Sequence, residues 1–274
     1  MIMSEYIDGP LLINGYKFDL RVYLAITSCD PLRIYIYQEG LTRFATIKYQ
    51  SASSKTQNNR YMHLTNYSVN KANTQFIPNN DPSIDGKGSK WSHTALKKFF
   101  KDLGIDDTEL WEKIEDVLIK SIIGVEPLLT SAFHMYVPHK SNCFELLGFD
   151  ILVDDDLKPW LLEVNLSPSL NCDSPLDQKI KGELIADLLT MTGIVPIDQR
   201  AMEQNINEKT SKFYNIYTKN DVKKLNVFPQ TKPKSSTVID KIGLTGGNLK
   251  DVRQMIYDTE EELKRYNFNK SWKI

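Results

Sequence analysis

The chain has 274 residues, 41% of them hydrophobic and 25% charged, with a formal net charge of −1. This is ordinary globular composition, ample for one large domain or two small ones. Cys29, Cys143 and Cys172 are odd in number and lack CxxC or CxxH spacing, which suits a reducing compartment and excludes a disulfide scaffold. No apolar run is long enough to cross a bilayer, and "MIMSEYIDG" lacks the basic and apolar regions of a signal peptide, so a soluble cytosolic protein is expected.

In chain order, residues 16–27, "YKFDLRVYLAIT", alternate charged or polar with apolar residues before turning apolar, the pattern of a strand with one functional face. "CDPLR" is a turn built on Asp-Pro, and residues 34–49 read as two short strands around Glu39-Gly40. Residues 50–60 and 72–90 read as polar loops. Ser92 caps a helix over "HTALKKFFKDLG", closed by Gly104. Asp107 and Thr108 open a second helix, "ELWEKIEDVLIKSIIGVEPLL", with Trp111, Ile114, Leu118 and Ile122 on one face. A hairpin follows over 144–165, then a helix over 176–193. Residues 198–250 are polar, lysine-rich and broken by "FPQTKPKSS" and "LTGGN", the composition of a linker. A last helix is expected within 251–274. Charge is uneven: residues 1–197 hold 19 Lys and Arg against 25 Asp and Glu, whereas 198–274 hold 15 against 10. The basic segment suits an acidic partner, or is a solvated surface.

The hairpin "FDILVDDDLKPWLLEVN" sets Asp150, Glu163 and Asn165 among apolar residues. If the register places Asp150 opposite Glu163, all three share a face, and Phe149, Ile151, Trp160, Leu162 and Val164 turn to a core. Facing carboxylates repel unless a cation lies between them, and oxygen donors without His or Cys suit Mg²⁺ beside phosphate. The alternative is a solvated hairpin face. Lys17, Asp19 and Arg21 alternate and so share a face of their strand. They form either a phosphate- or carboxylate-binding surface or an exposed ladder of paired charges. Arg43 adds a fork for a carboxylate. "HLTNYSVNK" (63–71) presents hydroxyl, amide and imidazole groups, for a ligand or for its own backbone; His63 reads as a hydrogen-bonded structural residue. "GKGSK" (86–90) lacks the spacing of a phosphate loop.

Taken in order, "YIDGPLLINGYKFDLRVYLAITSCDPLRIYIYQEGLTRFAT", "HLTNYSVNK" and "FELLGFDILVDDDLKPWLLEVNLSPSL" closely resemble the tubulin–tyrosine-ligase-like family of ATP-grasp amino-acid ligases, over roughly residues 4–195. "LEVNLSPSL" followed by "DSPLDQKIK" looks like the glutamylase branch. The resemblance implies an α+β fold, the C-terminal portion of an ATP-grasp fold: a largely antiparallel sheet flanked by helices (1–197), a linker (198–250) and a helical or irregular basic extension (251–274). ATP and Mg²⁺ are the implied cofactors. Asp150, Glu163 and Asn165 match metal ligands. Ser4, Glu5, Tyr6 and Ile7 match the adenine-reading hinge. Lys17, Asp19, Thr65 and Asn66 match nucleotide contacts, and Arg21 a residue near the phosphates. Arg43, Tyr67, Ser68, Lys90 and Lys179 match positions that hold the incoming amino acid, with Arg21 and Arg43 as the catalytic cations.

The implied reaction activates a glutamate side chain of the protein substrate as an acyl phosphate, which the amine of free L-glutamate attacks. Tubulin or microtubules, through their acidic tails, are the implied partners. Neither nucleic acid nor membrane is implied, and a monomer in the cytoplasm and cytoskeleton, including cilium or basal body, is expected. In this family an N-terminal lobe bearing further ATP-gripping residues precedes the position of Ser4. The 274 residues alone are therefore expected to bind nucleotide weakly and to catalyse poorly. The competing reading is a catalytically incomplete microtubule-binding fragment of the family.

Overall fold

Alternation along one strand organises the protein. In the computed structural model, which describes residues 4–81, 84–137, 143–192 and the backbone of 272–273, residues Tyr16–Cys29 form a central strand. Phe18, Leu20, Val22, Leu24 and Ile26 join one buried apolar cluster, while Tyr23 and Ala25 join another. Strands point successive side chains to opposite faces, so Lys17, Asp19 and Arg21 share the face of Tyr23.

The described strands are β1 (Leu12–Ile13), β2 (Tyr16–Cys29), β3 (Leu32–Phe44), β4 (Lys90–Ser92), β5 (Glu145–Val153), β6 (Pro159–Leu166) and β7 (Trp272–Lys273). All their pairings are antiparallel, and the sheet runs β4-β3-β2-β5-β6, with β1 beside β2 and β7 beside β3. The helices are α1 (Arg60–His63), α2 (Tyr67–Asn70), α3 (His93–Asp102), α4 (Thr108–Ile123), α5 (Glu126–Tyr136) and α6 (Pro175–Met191). Leu96, Phe100, Leu110, Ile114, Leu118 and Ile122 of α3 and α4 pack on one face of the sheet. Leu176, Ile180, Leu184 and Leu188 of α6 pack on the other, against Tyr23, Tyr35 and Tyr37. The expected α+β class and antiparallel sheet are what is found.

Several expected boundaries differ. Residues 32–44 form one strand, not two around Glu39-Gly40. Val22 pairs with Gly40 but Leu24 with Ile36, so β3 carries two extra residues there and bulges without ending. The helix expected to run on from Asp107 breaks after Ile123, because Pro127 lacks an N–H and its ring would crowd the carbonyl four residues earlier. On α4, Leu110 is buried with Ile114, Leu118 and Ile122, and Trp111 lies at the edge of that stripe. Ser92 caps α3 as expected, its Oγ accepting from the Ala95 N–H at 2.9 Å. The 63–71 segment starts at the last residue of the short helix α1 and holds the short helix α2 rather than an open loop.

The hairpin register places Asp150 opposite Glu163, but the next pair is Ile151 with Leu161. Leu162 is therefore an extra residue on an edge strand. This overturns the expected inner face of β6: Phe149 and Ile151 are fully buried, whereas Leu162 and Val164 are 49% and 45% exposed. The turn is closed by Asp154, whose side chain accepts from the N–H groups of Asp156 and Lys158 and from Trp160 Nε1. The linker expected over 198–250 lies outside the described residues. So does the helix expected over 251–274, save for Trp272–Lys273, which are strand.

Candidate functional site

Register turns the alternating charges of β2 into a row that crosses the sheet. Residues directly opposite one another in antiparallel strands project to the same face. Lys90 of β4 stands opposite Arg43 of β3, which stands opposite Asp19 of β2. Two residues along β2, Arg21 stands opposite Asp150 of β5, itself opposite Glu163 of β6. Arg21 grips Asp150 with Nε at 2.5 Å and Nη2 at 3.0 Å. Arg43 forks onto Asp19, with Nε at 2.8 Å and a shorter contact from Nη2, and that Nη2 also lies 2.7 Å from Asp150 Oδ2. Arg43 thus joins the two halves of the row.

These groups are not a surface ladder: Lys17, Asp19 and Asp150 are 6%, 2% and 2% exposed. Burial is the largest influence on the Asp150 carboxyl and pushes its pKa up. Arg21 and Arg43 outweigh it and leave the pKa below the ordinary carboxylate range. For Arg43, burial favours the neutral form, but Asp19 and Asp150 more than reverse that. Charges this deep persist only as a matched set.

The row opens on a cleft of about 350 Å³ between the sheet, α2 and α6. Arg21 and Arg43 form its wall, Asn66, Tyr67 and Ser68 one lip, and Glu163 and Asn165 another. Lys90 Nζ sits 3.8 Å from the Tyr67 ring centroid and donates to Asp177 Oδ2 at 2.7 Å. Burial pushes the Lys90 pKa down, with Asp177 opposing. Lys181, from the same turn of α6, donates to the Asn171 carbonyl at 2.5 Å and lies 3.5 Å from Asp177 Oδ1.

Lys179, expected at the amino-acid position, does not line this cleft. It lies in a separate recess with Tyr37, Glu39 and Glu183. On α6 a step of two residues turns the side chain to the opposite side, whereas a step of four returns it, so Asp177 and Lys181 share a face and Lys179 does not. Asp177 and Lys181 are residues the sequence reading missed, and their i, i+4 spacing was the available signal. The "HLTNYSVNK" segment divides. Asn70 is structural, accepting from Thr46 N and Oγ1 and donating to the Leu64 and Asn66 carbonyls. His63 is likewise structural, held by the Tyr6 hydroxyl at 2.8 Å and the Thr56 carbonyl at 3.0 Å.

Ser4, Glu5, Tyr6, Ile7, Lys17 and Thr65 lie outside the 350 Å³ cleft. Tyr6 ties its segment to the row's far end: Lys17 Nζ donates to its hydroxyl at 3.3 Å and lies 4.6 Å from its ring centroid. Ser4 and Glu5 are exposed. The Lys17 pKa is pushed down by burial, against Asp19 and Asp8.

The expected metal ligands fit a hard divalent cation by chemistry, as two carboxylates and an amide on adjacent strands. Asn165 Nδ2 donates to Glu163 Oε1 at 3.1 Å, so these two are already neighbours. Asp150 differs from the expectation of an open ligand, because both its oxygens already accept from guanidinium groups. A carboxylate has further lone pairs to share, so a cation there would share Asp150 with Arg21 and Arg43. Among the described residues, no three His, Cys, Asp or Glu side chains cluster as metal ligands.

Residues 1–203 match the model of the tubulin-tyrosine ligase family. The chain is 50% identical over 208 residues to tubulin polyglutamylase TTLL5 of Mus musculus, an alignment covering 75% of this chain and 16% of that protein. It is 50% identical over 195 residues to tubulin monoglutamylase TTLL4 of Homo sapiens, covering 71% and 16%. Against tubulin polyglutamylase TTLL13 of Homo sapiens the identity is 44% over 223 residues, covering 79% and 27%. The chain therefore spans a small part of the length of these relatives, and within that part it carries the charged row and the cleft. It belongs to the tubulin-tyrosine ligase family.

Proposed function

We propose that this chain carries the metal and amino-acid side of an ATP-dependent ligase that joins glutamate to glutamate side chains in the acidic tails of tubulin. The observation that carries the reading is the Arg21–Asp150–Glu163 row, with Arg43 bridging to Asp19, opening on a cleft lined by Lys90 and Lys181. Relatives named as tubulin glutamylases support the acceptor and the added amino acid. In this reading the γ-phosphoryl group of ATP passes to the acceptor carboxylate. The amine of free L-glutamate then displaces phosphate and forms an isopeptide bond.

Each residue has a task in that reaction. Lys17, Asp19, Thr65, Asn66 and the 4–7 segment serve the nucleotide. Asp150, Glu163 and Asn165 would hold Mg²⁺, which when bound neutralises charge between phosphate oxygens. Arg21 takes the phosphate side of the wall. Arg43, Tyr67, Ser68, Lys90 and Lys181 orient free glutamate through its carboxylates. No side-chain nucleophile is needed. The basic balance of residues 198–274 supports docking on acidic microtubule surfaces.

Incorporation of isotope-labelled glutamate into tubulin tests this, using the chain joined to the segment that precedes the matched region in TTLL5. Glu163→Gln should lower incorporation by about 100-fold or more. Unchanged incorporation refutes the assignment of Glu163.

A further inference from the structure

Two buried polar atoms at the floor of the cleft lack a hydrogen-bond partner: the Tyr23 hydroxyl and Asp177 Oδ1. Both residues line the cleft, and both are 0% exposed. Buried hydroxyls are nearly always satisfied, so the unpaired Tyr23 hydroxyl marks where a ligand completes the set, whereas Asp177 Oδ1 has the Lys181 ammonium 3.5 Å away. Tyr23 stands two residues beyond Arg21 on the same face of β2. Its pKa is pushed up to about 12, mainly by burial, with Arg21, Asp177, Arg43 and Asp150 all close enough to act on it. At neutral pH the phenol keeps its proton and is a donor.

Asp177 is fixed at the start of α6, where Ser174 Oγ both donates to its Oδ2 at 2.7 Å and accepts from its N–H. It takes Lys90 at 2.7 Å and faces Lys181 at 3.5 Å. Asp173 and Asp177 set two carboxylates against the ammonium groups of Lys71, Lys90 and Lys181 along this cleft, a surplus of one positive charge that attracts an anion. Arg43 supplies a second cationic position on the sheet side of the same cleft. Two cationic positions and a phenol donor in one cleft suit a ligand with two carboxylates.

We propose that Tyr23 is a binding residue and Asp177 a positioning residue of the amino-acid subsite. The Tyr23 hydroxyl donates to a carboxylate oxygen of an α-amino dicarboxylic acid, and Asp177 holds Lys90 and Lys181 in place around that ligand. This rests on the reading of the cleft as the amino-acid pocket.

The test is the affinity of the 274-residue chain for L-glutamate and for L-glutamine, by calorimetry or ligand-observed NMR, for the wild type, Tyr23→Phe and Asp177→Asn. Tyr23→Phe should weaken L-glutamate binding about tenfold. Because its hydroxyl has no partner in the unliganded chain, it should not lower the unfolding temperature, an outcome a merely structural tyrosine would not give. Asp177→Asn should weaken L-glutamate binding by at least as much and shrink the preference over L-glutamine, while ATP affinity stays within about twofold of wild type. If the wild type prefers L-glutamate and Tyr23→Phe binds it equally well, the assignment of Tyr23 falls and the cleft reading stands. An unchanged preference in Asp177→Asn removes Asp177. A wild type that binds L-glutamate no better than L-glutamine overturns both the assignment and the reading beneath it.

Discussion

The residue with the clearest pH signature lies outside the cleft. His93 is buried at the start of α3, its ring 5.0 Å from that of Trp111 and its polar neighbour the Leu41 backbone. Burial, helped by Lys97, pushes its pKa down to about 3, from an ordinary value near 6.5. The unfolded chain therefore takes up the proton first. The stability His93 supports is fully present above pH 6.5 and is lost as pH falls toward 3, at about 1.4 kcal/mol per pH unit. Urea unfolding at pH 6.5 and pH 5 should thus differ by about 2 kcal/mol more in the wild type than in His93→Leu. Parallel pH dependences would show that the ring is charged or solvated in the folded chain. Single residues were otherwise unevenly legible in the sequence. Alternation gave Lys17, Asp19 and Arg21 a common face, yet could not say that Lys17 and Asp19 are buried on it, where Tyr6 lies against Lys17 and Arg43 against Asp19. Lys179 lies away from the cleft that Lys181 lines, because only helical phase separates two residues that share a neighbourhood in sequence.

At the scale of elements, β3 shows why a turn-like dipeptide was misread. Glu39-Gly40 has the composition of a turn, but the two extra residues of β3 form a bulge that delivers Glu39 to the end of α3. Its carboxylate accepts from the His93 and Thr94 N–H groups at 2.7 and 3.2 Å and from Thr94 Oγ1 at 2.6 Å. Carboxylates at helix N-termini satisfy free N–H groups and complement the dipole. Gly40 is needed for a different reason: an added Cβ would lie 2.3 Å from His93 Cε1 and 2.4 Å from the Arg21 carbonyl oxygen. Glu39→Ala should cost about 1–2 kcal/mol in chemical denaturation, and Gly40→Ala about 3 kcal/mol. An insensitive Glu39 would mean that Ser92 alone caps the helix. The hairpin was better legible, since its register followed from the polar positions, but the slip at Leu162 was not. Alternation cannot announce an extra residue on an edge strand, where no second neighbour constrains the register.

For the molecule as a whole, the row was readable as chemistry before it was readable as geometry. Asp150, Glu163 and Asn165 were identifiable by residue type, whereas the pairing of Asp150 with two arginines depends on β2 and β3, more than a hundred residues earlier. That pairing sets what a cation would meet there. Asp150 is already neutralised by Arg21 and Arg43, so a bare divalent cation arriving there meets two guanidinium groups that repel it. In the proposed reaction a triphosphate would give Arg21 a new anionic partner and leave Asp150 free to help hold the cation. Mg²⁺ alone at about 1 mM should therefore shift the unfolding temperature of this chain by less than about 1 °C, while Mg²⁺ with ATP stabilises it in proportion to RT ln(1 + [L]/Kd). In Arg21→Gln, Asp150 loses one of its two cations, so the order reverses. The variant is less stable without ligand, yet Mg²⁺ alone now raises its unfolding temperature, because one guanidinium no longer opposes the cation. Thermal unfolding of both proteins with Mg²⁺, with ATP and with the two together distinguishes the cases. Stabilisation of the wild type by Mg²⁺ alone would mean that the arginines do not gate the metal position.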